Sequence, residues 1–236
     1  MVTINGAVAV VTGGQRGLGR AFVAELLDRG ASKIYATARR PTPSDDPRVV
    51  PVALDVTDPA SVAALADLAG DATIVLNNAG VGGAGPLLSA GIDEIKDVFE
   101  TNLFGAIRVA QAFAPILARS GGGALVDIHS ALSWIAGAGA YGASKAAFWS
   151  ATNSLRLELA PQGTNVVGVH LGYADTDLTA TVTAPKLDPA DVARAVADGI
   201  ELGVDEVLVD DVSRHFKQAL AGPVDGLTVP ATASAR

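Results

Sequence analysis

Short apolar runs alternate along the chain with longer segments whose apolar residues recur every three or four positions. Residues 7–11 form the first such run, ending in Thr12-Gly13-Gly14. Leu18, Ala21, Phe22, Glu25, Leu26 and Arg29 follow at helical spacing, with Gly30 as the expected C-cap. Residues 34–38 and 49–54 read as the second and third strands, the third closed by Asp55-Val56-Thr57-Asp58-Pro59. Asp58 before Pro59 is an N-cap with proline at the first helical position, so a helix is expected from there to about Ala69. Residues 73–76 form a fourth apolar strand, followed by Asn77-Asn78-Ala79-Gly80 and a glycine-rich loop over 81–86. A long helix then carries Val98, Phe99, Leu103, Ile107, Ala110 and Phe113, with Pro115 expected to kink it. Beyond Gly121-Gly122-Gly123 the pattern predicts a strand at 124–129, a helix at 139–160 and a strand at 166–170. Asp188-Pro189 opens a helix to about Leu202, 207–209 is a short seventh strand, and 211–220 is a final helix. From Gly222 to residue 236 a loose C-terminal tail is expected.

Most of these strands are continuously apolar rather than alternating, the signature of a parallel sheet covered on both faces. The expected fold is therefore α/β: one domain over residues 1–236, doubly wound, with a seven-stranded parallel sheet and helices on both faces. A length of 236 residues suits one core, and 49% hydrophobic against 18% charged residues is enough to fill it. The net charge of -8, from 25 acidic and 17 basic side chains, excludes the broad positive surface that nucleic acid or an anionic membrane requires. The chain has no cysteine, which removes disulfides, thiolate catalysis and thiolate-held metals, and fits a reducing compartment. No apolar run reaches the roughly 18 residues of a transmembrane helix, and the N-terminus lacks the basic start of a signal peptide. A cytoplasmic protein is expected, with no metal site, since no ligand spacing is visible.

The 26 glycines are placed rather than scattered. Gly13, Gly17 and Gly19 fall where the first strand turns into the first helix. Small residues there let the backbone approach a pyrophosphate, and the helix N-terminus offers free N–H groups and a positive dipole end. No Lys-Ser/Thr pair follows, so a triphosphate P-loop is excluded. A serine hydrolase is excluded as well. His129 and Ser130 are adjacent on a strand and point to opposite faces, and there is no Gly-x-Ser-x-Gly elbow. His170 and His215 read as structural or surface histidines.

Four motifs in this order resemble the short-chain dehydrogenase/reductase family, and the resemblance runs from Gly6 to about Val209. They are Thr12 to Gly19, Asn77 to Gly80, Ser130 with Tyr141-Gly142-Ala143-Ser144-Lys145, and Gly172-Tyr173-Ala174-Asp175-Thr176. The resemblance implies a Rossmann fold and a nicotinamide dinucleotide held by Gly13, Gln15, Arg16, Gly17, Leu18 and Gly19 of the turn. It implies further contacts from Asp55 and Val56 to the adenine, from Asn78, Ala79 and Gly80 along the cofactor, and from Thr176 to the nicotinamide carboxamide. Leu171-Gly172 stands where the family usually has Pro-Gly.

The second strand ends in Ala38-Arg39-Arg40. A carboxylate there would bond the ribose hydroxyls of NAD, whereas a guanidinium matches the 2′-phosphate of NADP with paired donors. Arg16 can reach the same phosphate, and the family's NADP-dependent members are basic at these positions. NADP(H) is the expected cofactor, with Arg39 and Arg16 as its phosphate partners and Arg40 a weaker third.

Tyr141 and Lys145 are four apart on one helix and share a face. A nearby ammonium and an oxidised nicotinamide favour the phenolate, so a lowered Tyr141 pKa is expected and Tyr141 is the general acid/base. The resemblance adds Lys145 on the nicotinamide ribose, Ser130 on the substrate oxygen, and Asn102 holding a water in a relay from Lys145 to solvent. Ser133 is a weaker substitute for Ser130. Eleven positions separate Ser130 from Tyr141, two fewer than in many family members, so the loop beside the substrate is short. Val81, Leu132, Trp134 and Tyr173 are the expected pocket, with no cationic pair to anchor a charged substrate. The reaction expected is hydride transfer between nicotinamide C4 and a small or medium uncharged ketone or aldehyde, with the secondary alcohol in reverse. The alternative is a non-catalytic NADP(H)-binding sensor, which would often lose Tyr141 or Lys145. Family members pair helices near 91–118 and 139–160, and Ala143, Ala146, Ala147 and Ala151 suit such packing, so a homodimer or homotetramer is expected.

Overall fold

Each of the seven apolar runs forms a strand in the computed structural model, which describes residues 2–83 and 85–228. These are β1 (Val8–Val11), β2 (Lys33–Ala38), β3 (Val49–Ala53), β4 (Ile74–Asn77), β5 (Ala124–Ile128), β6 (Asn165–His170) and β7 (Glu206–Leu208). All neighbours pair in parallel, in the order β3-β2-β1-β4-β5-β6-β7. Strand ends follow pairing rather than apolar character. Asn77 thus belongs to β4, because it lies in register with Asp127 of β5. Pro51, which cannot donate to a ladder, falls in the edge strand β3.

The helices are α1 (Gly17–Asp28), α2 (Pro59–Leu68), α3 (Ile92–Phe99), α4 (Ala106–Arg119), α5 (Gly139–Leu159), α6 (Pro189–Leu202) and α7 (Asp211–Ala219). Successive strand residues feed two cores. Ala9, Val11, Ile34, Leu76 and Val126 pack against Phe22 and Leu26 of α1 and Val192, Val196 and Ile200 of α6. Val10, Tyr35, Val75 and Leu125 pack instead against Val62 and Leu65 of α2 and Val109, Phe113 and Leu117 of α4. Each such large apolar side chain contributes roughly 1.5–3 kcal/mol by leaving water, so the two cores hold the sheet between them.

The long helix expected through Val98 and Phe113 is interrupted. A π-helical turn, Glu100–Gly105, joins α3 to α4. Gly105 lies so close to the loop after β3 that a Cβ there would sit 2.7 Å from Val56 Cγ2. Pro115 does lie inside α4. The expected loose tail is also corrected in part. Val224–Leu227 forms a 3-10 turn, and the Ala136 N–H donates to the Leu227 carbonyl at 2.8 Å. Residues 229–236 of that tail lie outside the described residues. Among the described residues no helix is long and apolar enough to cross a membrane.

Candidate active site

Strand order reverses between β1 and β4, so the chain leaves their C-terminal ends in opposite directions and opens a crevice there. Gly13 (φ +65°) and Gly17 (φ +50°) adopt left-handed conformations in the turn after β1. Gly19 packs under Gly13 so closely that a Cβ would lie 2.0 Å from the Gly13 carbonyl oxygen. Thr12 and Asn78 staple this turn to the end of β4. The Thr12 hydroxyl accepts the N–H groups of Asn78 and Ala79, both at 2.9 Å, and Asn78 Nδ2 donates to the Thr12 carbonyl at 2.8 Å. Thr12 as a staple was not among the expected site residues, because its partners lie far away in the chain, just after β4.

Asp58, Asp188 and Asp210 cap α2, α6 and α7 with their side chains. Helix α1 has no side-chain cap at Arg16 and no acidic residue in its first turn. An N-terminus left open above a turn of glycines fits the pyrophosphate of a dinucleotide. Leu18 packs into the α1/α6 core below it. Thr176, from the loop after β6, closes over the turn, with its Cγ2 3.2 Å from where a Gly17 Cβ would be.

Arg16, Arg39 and Arg40 are exposed and form no ion pair among the described residues, unlike Arg29, Arg48, Arg108 and Arg214. The amide of Gln15 is tied to a backbone. Its Nε2 donates to the Thr42 carbonyl and its Oε1 accepts the Thr42 N–H, both at 2.8 Å, which holds the loop carrying the two arginines against the glycine turn. Asp55 accepts the Thr57 hydroxyl at 2.7 Å and its N–H at 3.0 Å. These bonds hold its carboxyl below the usual range, and the Arg39 charge adds to the effect. Val56 is buried against Gly105, which leaves little of its side chain for an adenine.

The reacting end is built by β5, α5 and the π-turn. Lys145 is buried, and its Nζ donates to the Ile128 carbonyl at 2.7 Å and lies 6.0 Å from the Tyr141 ring centre. Burial lowers its pKa to about 8, with the nearby Asp127 charge working the other way. The lowering expected for Tyr141 includes the charge of an oxidised nicotinamide, and the protein's own groups act the other way. Burial pushes the phenol up to about 12, with the Ser130 hydroxyl opposing and Tyr173 reinforcing the shift. The ammonium is bonded to a backbone carbonyl rather than to the phenol, so desolvation outweighs it. Ser130 lies just after β5, where its Oγ accepts the Leu132 N–H at 3.1 Å and its hydroxyl acts on the Tyr141 phenol.

Asn102 sits in the π-turn and clamps the loop after β4. Its Oδ1 accepts the Val81 N–H at 2.8 Å, while Nδ2 donates to the Val81 carbonyl and to Ser144 Oγ, both at 3.1 Å. Ser144 in turn donates to the Tyr141 carbonyl at 2.7 Å. Gly80 lies beside both groups, with a Cβ there 3.3 Å from Asn102 Oδ1 and 3.8 Å from Lys145 Nζ. Val81, Leu132 and Tyr173 are half-buried around this group. Trp134 is not placed as expected for a pocket residue. It is buried and stacks on His170, so its ring serves packing. Ser133 is buried too.

Asp127 carries no expectation from sequence, yet it is fully buried in β5. It accepts hydrogen bonds from Asn77 Nδ2 at 2.9 Å and Thr152 Oγ1 at 2.7 Å. Burial raises its pKa to about 6, against those two bonds and the charge of Lys145. Among the described residues no cluster of histidine and carboxylate side chains could hold a metal ion.

Comparison with known proteins agrees with this geometry. Residues 7–187 match the short chain dehydrogenase family. The chain is 38% identical over 197 residues to the 1-deoxy-11-beta-hydroxypentalenate dehydrogenase of Streptomyces avermitilis, covering 76% of this chain and 73% of that one. It is 31% identical over 221 residues to a 3-oxoacyl-acyl-carrier-protein reductase of Vibrio cholerae, covering 83% and 90%. A short chain dehydrogenase of Burkholderia cenocepacia, solved in complex with NADP, superposes with a TM-score of 0.89 at 38% identity over 96% of this chain and 97% of that one. Another from Burkholderia phymatum, solved with NAD, gives 0.82 at 25% identity over 94% and 96%.

Proposed function

The chain belongs to the short chain dehydrogenase family, and on that premise we propose that it is an NADPH-dependent reductase of uncharged ketones and aldehydes, oxidising secondary alcohols in reverse. The observation that carries this reading is Tyr141 and Lys145 one turn apart on α5, beside Ser130 just after β5 and Gly80 in the loop after β4. The bound dinucleotide supplies the hydride. Ser130 donates a hydrogen bond to the substrate oxygen and favours the charge that grows there. Tyr141 gives that oxygen its proton, and a phenol with a pKa of about 12 stays loaded across the working pH range. Lys145 places a positive charge beside the phenol, and Asn102 holds the Val81 loop and the Tyr141 turn in register through Ser144.

Exposed Leu178, which reaches over Gly82 in the loop after β4, favours an apolar substrate. The half-exposed Ala143, Ala146, Ala147 and Ala151 on α5 suit close packing of a second copy, in a homodimer or homotetramer. The test is NADPH oxidation over a panel of neutral and charged carbonyl compounds. Turnover of several neutral ketones supports the reading. Tight NADPH binding without any turnover would favour a sensor instead.

Two further outcomes are expected. Arg39→Ser should raise the KM for NADPH about ten- to a hundredfold and leave that for NADH unchanged, as expected for one charge-assisted phosphate contact. Equal effects on both cofactors would refute the phosphate assignment. The second concerns pH. Lys145 loses its charge as pH rises through about 8, so carbonyl reduction should decline over that interval while Tyr141 is still protonated. A pH–rate profile flat to pH 10 would contradict this.

A further inference from the structure

Two buried histidines and the chain's two tryptophans form one cluster behind the Ser130 turn. Trp134 stacks on His170 with ring centres 4.0 Å apart and planes 20° from parallel, and Trp149 meets Trp134 edge-on at 5.7 Å. His129 lies 4.8 Å from His170 and 4.6 Å from Phe148. Lys217 of α7 covers the two indoles at 5.3 and 5.2 Å and pairs with Glu206 of β7 at 2.7 Å. None of these side chains takes part in the proton or hydride steps above.

His170 connects the cluster to the site. Its Nδ1 lies 3.3 Å from the Ser130 carbonyl oxygen. A carbonyl oxygen only accepts, so Nδ1 carries the proton and Nε2 holds a lone pair. Burial keeps the ring neutral by pushing its pKa down to about 3. The 3.6 Å approach of Glu206 to Nε2 is therefore not an ion pair, and Glu206 is satisfied by Lys217. The same Ser130 carbonyl accepts the Ser133 N–H at 3.0 Å, and the next N–H, of Ala131, donates to Leu171 at 2.8 Å. Together these bonds fix the peptide plane from which the Ser130 side chain projects. The stretch that follows is short and bends at two left-handed glycines, Gly137 (φ +97°) and Gly139 (φ +55°).

We propose that His170 is a positioning residue for the reaction. Its Nδ1–H, seated by the Trp134 stack under Lys217, braces the Ser130 carbonyl and so aims the Ser130 hydroxyl at the substrate oxygen beside Tyr141. The brace reaches from β7 and α7 into the site, so the C-terminal elements set the geometry of Ser130. This rests on the carbonyl-reductase reading given above.

The test compares His170→Phe, His170→Asn and His170→Gln. Asparagine places an N–H donor at the δ position, glutamine reaches only to the ε position, and phenylalanine keeps the stack without a donor. His170→Phe and His170→Gln should lower kcat about tenfold with the KM for NADPH within twofold, the cost of a lost hydrogen bond and a misaimed hydroxyl. His170→Asn should stay within about threefold of wild type. Since both tryptophans lie in the cluster, intrinsic fluorescence reports its integrity independently of turnover. His170→Phe should change the emission through loss of the imidazole stack, while thermal unfolding stays cooperative. If His170→Phe does not fold, the Asn and Gln pair decides alone. Equal kcat losses in Asn and Gln, or losses that track Tm rather than the donor position, overturn the brace. Wild-type activity with an unimpaired His170→Phe overturns this proposal alone, whereas an inactive wild type overturns the functional reading and this proposal with it.

Discussion

Replacing Tyr141 with phenylalanine should lower carbonyl reduction about a thousandfold while leaving the NADPH dissociation constant within a factor of about three, the range expected for losing a general acid. The substitution removes one oxygen. The ring stays where α5 and the Gly83 loop hold it, because a Cβ on Gly83 would lie 2.9 Å from Tyr141 Cβ, so the backbones already touch. The hydrogen bond from Ser144 goes to the Tyr141 carbonyl and survives. What disappears is the proton for the developing alkoxide, and no neighbour replaces it. Lys145 donates to the Ile128 carbonyl, and Ser130 without the phenol can polarise the substrate but holds no proton it can readily lose. Steady-state rates with NADPH and fluorescence titration of NADPH on the same preparation separate chemistry from binding. A Tyr141→Phe enzyme within tenfold of wild type would remove Tyr141 from the reaction. A loss of NADPH affinity equal to the loss of rate would make the residue part of the cofactor cradle instead.

The parts of this site that could be read from sequence are those written locally. Alternation of apolar runs with helical periodicity led to seven parallel strands, and the glycine turn, the Asn78 segment and the Tyr141–Lys145 spacing each lie within a few residues of one another. What could not be read depends on residues far apart in the chain. The π-turn holding Asn102 accompanies the contact of Gly105 with Val56, and nothing in the local pattern announces it. Asp127 looks like an interruption in an apolar strand until Asn77 and Thr152 are seen to satisfy its carboxylate. Trp134 reads as a pocket residue from its place beside Ser130 in sequence, but His170 offers its ring a face to stack on. The part of the Tyr141 shift that the protein itself sets could not be read for a related reason. Spacing puts a lysine near a tyrosine, but burial and the lysine's own hydrogen bond decide which effect prevails.

Acid should weaken the fold well before carboxylates in general are protonated, and the buried side chains around β5 and β6 are the cause. His129 and His170 are held neutral by burial, with pKa values well below that of a free imidazole. The unfolded chain binds protons at these positions below about pH 6.5 and the folded chain does not, so their contribution is complete above that pH and is lost as pH falls. Each such loss has a ceiling of about 1.4 kcal/mol per pH unit. Asp127 acts in the opposite sense. Its pKa is raised to about 6, so the folded state takes up a proton first and gains stability on acidification, by roughly 2 kcal/mol between pH 6.5 and 4.5. The net expectation over that interval is a loss of stability, since two histidines oppose one carboxyl. Denaturant unfolding at a series of pH values measures it. His170→Asn removes one of the two histidine contributions and should flatten the decline, while Asp127→Asn removes the compensating carboxyl and should steepen it. Opposite changes in slope from two substitutions in one core are not expected from general loss of packing, which would lower stability at every pH alike. Parallel curves for the two variants and wild type would show that these buried groups do not govern the acid limb.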